Sequence, residues 1–165
     1  MSITTEKSDQ VTNQDATPPT MNPAYFSGAK LRVQYFKHTQ SVAGDDGSSV
    51  TLCRIPAGQG VIFKQLSLIR WTAFGSSRVM DIGYAAYTER DGDAVSAGAD
   101  IFEDGRDVSS ANLKGVILGT GTNADDLPMY IYDSKAPIDV KALVTGGTWP
   151  LNAVVEGWIC YASNE

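Results

Sequence analysis

The chain has a single histidine, two cysteines and only 19% charged residues, and each scarcity narrows what it can do. His38 has no Cys, Glu or second His near it in sequence, so a zinc site built from neighbouring ligands is unsupported; a strand-end histidine with an ordinary hydrogen bond is expected instead. A serine triad would depend on this one ring, and Gly75-Ser76-Ser77 lacks the pattern of a nucleophile elbow. Cys53 and Cys160 are too few for a disulfide framework. Both fall in strand-like runs where a cysteine acts as a small buried hydrophobe, with a bridge between them as the alternative. No run approaches the roughly 18 to 20 apolar residues of a membrane span. The opening MSITTEKSDQVTNQDATPPT shows neither an apolar core nor a cleavage pattern, so no secretory leader and no membrane partner are expected, and synthesis and assembly fall in the cytoplasm. Thirteen Lys and Arg are scattered among nineteen Asp and Glu, and the net charge of -6 argues against nucleic acid as a partner, since phosphate binding needs clustered cations.

What is present favours strands. Sixteen glycines and few helix-forming surface residues point to strands and turns. The organising stretch is 61–87, VIFKQLSLIRWTAFGSSRVMDIGYAAY, which reads as a long β-hairpin turning at Gly75-Ser76-Ser77. Its first arm is apolar on both faces, as a central strand is, with a bulge expected near Leu68-Ile69 where the parity changes. Its second arm alternates, with Met80, Ile82, Tyr84 and Ala86 on one face. Further strands are expected at 31–36, 50–55, 129–132, 138–144 and 153–161. Residues 88–126, rich in Asp, Gly and Ser, read as a long surface-facing connection. Residues 1–27 carry almost nothing to bury and read as a flexible polar N-terminal arm on a domain over 28–165. The fold expected is all-β, an antiparallel β-sandwich or jelly roll of seven to eight strands. Its core is assigned to Val33, Leu52, Phe63, Leu66, Leu68, Trp71, Ile82, Tyr84, Ile131, Val140, Val144, Val155 and Trp158.

Motifs of catalysis and cofactor binding are weak. Gly119-Thr120-Gly121-Thr122-Asn123-Ala124 matches the dinucleotide fingerprint, but another strand follows where the fingerprint needs a helix N-terminus, so no cofactor is expected. Asp91, Asp93, Asp100, Glu103, Asp104 and Asp107 do not have EF-hand spacing and read as turn aspartates, although a glycosidase carboxylate pair could be drawn from them. The alternation sends Phe36 and Tyr87 outward, and Trp149 sits in a Gly-rich loop. These three are candidate contacts for self-association, and Tyr25 and Phe26 are candidate anchors of the arm.

Several segments resemble cement or decoration proteins of tailed-bacteriophage heads: LCRIPAGQGV at 52–61, VMDIGYAAY at 79–87, AGADIF at 97–102 and VTGGTWPLNAVVEGWICY at 144–161. The resemblance implies a β-sandwich virion structural protein without catalysis, bound to the major capsid protein and often trimeric. A carbohydrate-binding or receptor-binding fibre domain with Trp149 as its surface aromatic is the alternative. A glycoside-active enzyme using Asp91, Asp93, Asp104 or Asp107 is a second.

Overall fold

The computed structural model describes residues 30–119 and 128–163, together with Thr17. The arm expected over 1–27, with Tyr25 and Phe26, therefore lies outside the described residues apart from Thr17. Among the described residues there are eleven strands and no helix: Lys30–Thr39 (β1), Ser49–Ile55 (β2), Gly58–Trp71 (β3), Val79–Tyr84 (β4), Tyr87–Thr88 (β5), Ala94–Val95 (β6), Gly98–Asp107 (β7), Asn112–Ile117 (β8), Met129–Ser134 (β9), Ile138–Thr145 (β10) and Val154–Ser163 (β11). They form an antiparallel β-sandwich. One sheet runs β1-β11-β3, with β9 and β8 sharing the far side of β3, β9 along Gly58–Phe63 and β8 along Leu68–Trp71. The other sheet runs β2-β10-β4-β7, and β5 and β6 make a separate two-stranded ribbon.

The core follows from alternation. In β10, Ile138, Val140, Ala142 and Val144 are buried while Asp139, Lys141 and Leu143 are partly exposed, so a period of two has put every second side chain inside. Met80, Ile82 and Tyr84 of the neighbouring β4 lie beside them on the same face, and Ile62, Ile69, Trp71, Val155, Ile159 and Tyr161 close the core from the five-stranded sheet. Each such aliphatic side chain contributes about 1.5–3 kcal/mol relative to remaining exposed. Cys53 on β2 and Cys160 on β11 are both free and buried. Burial, then the charge of Asp139, pushes the Cys53 thiol up to about 12.

Several expectations are corrected. The stretch 61–87 is not a hairpin: β3 and β4 belong to different sheets. A strand already paired by β11 on one side and by β8 and β9 on the other has no edge left for β4. The chain therefore crosses between sheets, with Phe74 buried in the crossing and its amide donating to the Val108 carbonyl at 2.9 Å. The expected loop over 88–126 contains β7 and β8, with Phe102 and Glu103 fully buried. The faces of β1 are the reverse of the assignment: Phe36 is buried while Val33 is exposed. Leu66, Ile131 and Trp158 are also exposed rather than core, and Trp149 is buried rather than a surface aromatic. Alternation separates two faces without saying which one is inside, and β1 carries apolar residues of both parities.

Candidate functional site: the outer face of the five-stranded sheet

The register of the five-stranded sheet lines up apolar side chains in rows across its outer face. Tyr35 of β1 lies opposite Trp158 of β11, Trp158 opposite Leu68 of β3, and Leu68 opposite Ile117 of β8. A parallel row holds Val33, Cys160, Phe63 and Met129, and the next holds Leu31, Ala162, Val61 and Ile131, with Cys160, Ala162 and Val61 buried within the rows. Leu31 is 58% exposed, Val33 61%, Tyr35 57% and Trp158 37%. With Leu66, Ile117 and Ile131, they make seven large apolar side chains exposed on this one face, around the buried Val61, Ala162 and Cys160.

A bulge in β3 shapes this face. Between Trp158 and Cys160 of β11, β3 runs from Leu68 to Phe63, so Lys64–Ser67 is extra chain. The Ser67 hydroxyl stabilises it by donating to the Phe63 carbonyl at 2.7 Å and accepting the Cys160 amide at 2.9 Å. Leu66 is left outside, and its carbonyl accepts the Trp158 indole Nε1–H at 3.0 Å, which fixes the ring. Gly157 permits the tight crossing, since a Cβ there would lie 2.0 Å from the Leu68 carbonyl oxygen. The bulge falls just before the predicted Leu68-Ile69.

The rows end in charge. Glu156 lies between Lys37 and Arg70, 3.8 Å from the Lys37 ammonium and ion-paired to the Arg70 guanidinium, and it accepts a 3.3 Å bond from the Tyr35 hydroxyl. The Arg70 hydrogen bond, with the Arg70 and Lys37 charges, holds the Glu156 carboxyl below the usual carboxylate value against a desolvation cost. An open groove of about 320 Å³ runs here between Tyr35, Leu68 and Trp158 and the charged groups Arg70, Lys114 and Glu156.

Among the described residues, the predicted site residues Phe36, Tyr87 and Trp149 do not share one exposed surface. Phe36 is 4% exposed and Trp149 is 1%, packed against Phe74 and met edge-on by His38, both with ring centroids at 5.6 Å. His38 shares a 2.8 Å hydrogen bond with Gln40, as a strand-end histidine does. Tyr87 is half-buried, its hydroxyl 2.9 Å from that of Tyr130 in a ring cluster with Tyr84. The Tyr87 and Tyr130 hydroxyls are both shifted up, first by burial. Tyr25 and Phe26 lie outside the described residues. Of the acidic candidates, Asp91 and Asp107 accept backbone amides two residues on, Asp93 at 3.1 Å and Ser109 at 2.8 Å, which is turn chemistry. Glu103 is buried in an ion pair with Arg106 and accepts the Gly119 amide at 2.6 Å. The apolar face itself was missed, although one signal marked it: Trp158 alternates with Ile159 and Tyr161 and shares its parity with Glu156.

No protein-family model matches the chain, and no curated protein does. Among solved structures, it is similar to a chain of the capsid asymmetric unit of cyanophage Pam1, with a TM-score of 0.54 and 13% identity over 87% of this chain and 91% of that one. The infectious bursal disease virus VP2 subviral particle gives a TM-score of 0.45 at 13% identity, and the Gt strain of that virus 0.48 at 10%, each over 81% of this chain. This chain spans about a third of those two, 33% and 32%. The likeness to the cyanophage chain is one of fold, an antiparallel sandwich of nearly the same length.

Proposed function

We propose that this protein is a non-enzymatic structural component of a virion, a cement or decoration protein of a phage head that binds the lattice of the major capsid protein and stabilises it, and that works as a trimer. The observation that carries the reading is the apolar outer face: a sandwich with its core already filled keeps Leu31, Val33, Tyr35, Leu66 and Trp158 exposed on one sheet face, the mark of a surface covered in an assembly. The fold it shares with a chain of similar length in a phage capsid supports the setting. On this reading the protein resides in the virion and is assembled in the host cytoplasm. Cosedimentation of the full chain with phage shells assembled from a major capsid protein tests the proposal. Saturable binding and greater resistance of the shells to heat are expected; shells that neither bind it nor gain stability would refute it.

The groove between Tyr35 and Trp158 favours one second reading, a carbohydrate-binding fibre domain. Two exposed aromatic rings beside Arg70, Lys114 and Glu156 offer a stacking surface with polar partners. Glycan binding lost in Trp158→Ala would select it; the buried Trp149 is no longer its candidate.

A further inference from the structure

We infer that the outer face of the five-stranded sheet is where copies of this chain meet, and that the β5–β6 ribbon of a second copy supplies the opposing charge. The inference deepens the virion reading and rests on it for its setting. Exposed aromatic and aliphatic side chains grouped on one face, such as Val33, Tyr35 and Trp158, are the composition of the core of a stable interface. At the Tyr35 and Trp158 end their charged border holds Lys37, Arg70 and Lys114 against Glu156, a cationic rim on a chain whose net charge is -6, while Asp133 stands beyond Ile131 at the other end. Packing this face on itself would set cation against cation, so the complementary surface is anionic.

The chain carries such a surface. The turn between β5 and β6 holds Glu89, Asp91 and Asp93 with one cation, Arg90, whose guanidinium lies 3.8 Å from Asp133, so the turn is net anionic, and a shallow surface beside it is lined by Tyr87, Ala94 and Val95. The ribbon sits at the far end of the molecule: Glu89 bridges to Ser134, which pairs with Gly58 at the start of β3, whereas Arg70 lies at its end. Along β11 the stretch opposite Arg70 to Gly60 is only Glu156 to Ser163, so at about 3.3 Å per residue, with two more residues to Gly58, these ends are roughly 30 Å apart, and rim and ribbon meet only between copies. Such a contact joins two different patches and closes into a ring when the rotation allows, which accommodates a trimer.

Sedimentation velocity of the full-length protein over the micromolar range, at low and high salt, tests this. Association that weakens with salt is expected, with Val33→Glu and Trp158→Glu each weakening it by about tenfold or more at unchanged circular dichroism. Val33 is the more exposed site, so its variant decides the matter if Trp158→Glu misfolds. Lys37→Glu with Lys114→Glu should also weaken association, and adding Asp91→Lys with Asp93→Lys should restore it. A monomer at high micromolar concentration, or association indifferent to Val33→Glu, overturns the inference, and failed restoration removes the ribbon as the partner. A monomeric protein whose Val33→Glu variant alone loses capsid shells assigns the face to another virion protein, overturning the self-contact but leaving the virion reading. An oligomer broken by Val33→Glu that ignores shells upholds the contact and removes that reading.

Discussion

Trp149 and Trp158 are chemically identical, and their surroundings give them opposite tasks. Trp149 fills the space between Phe74 and His38, so Trp149→Ala should cost about 3–5 kcal/mol in denaturant unfolding, as should Trp71→Ala. Trp158→Ala removes a ring already 37% exposed and should cost less than about 1.5 kcal/mol; equal losses at the two sites would contradict the burial described. Glu156 makes a second residue-scale prediction. Its carboxyl is held below the ordinary value of 4.5 chiefly by the Arg70 hydrogen bond, so its contribution to stability is complete above that value and is lost as pH falls through the lower folded one. Melting curves of the wild type and Glu156→Gln should therefore differ near neutrality and converge in acid. A gap that widened on acidification would reverse the sign.

At the level of elements, legibility depended on whether one strand face was plainly polar. β10 was readable because Asp139 and Lys141 leave no doubt which side meets water. β1 was not, because Leu31, Val33 and Tyr35 compete with Phe36 for the interior and the apolar side that stays outside is the candidate site. β7 was hidden by Asp104-Gly105, which resembles a turn. In the folded sheet Gly105 has a φ of 64°, donates its amide to Asp81 at 2.7 Å and marks an irregularity inside a strand. The crossover after Trp71 was unreadable for a different reason, since strand order is decided by partners far away in sequence. The β3 bulge gives this scale its prediction. Ser67→Ala leaves the buried Cys160 amide without its acceptor and should cost about 1–3 kcal/mol, measured by chemical denaturation, with Trp158 losing its fixed orientation as the bulge relaxes.

For the whole molecule, the sandwich class was legible from composition and turn spacing, whereas the outer face required the register of four strands at once. One expectation at this scale concerns the polar first residues: deleting residues 2–22 should leave the melting temperature unchanged, because their Ser, Thr, Asn, Gln and Asp offer almost nothing to bury, and should lower occupancy on capsid shells. Undiminished occupancy of the truncated protein would make that segment a passive tail.

Trp71 and Trp149 lie in the interior, and only Trp158 reaches water, with its ring held by one carbonyl. The protein therefore carries its own optical probe at the surface in question. Red-shifted emission accessible to acrylamide should come from this one indole, and a blue shift with loss of quenching would follow the covering of the face in real time, without a label.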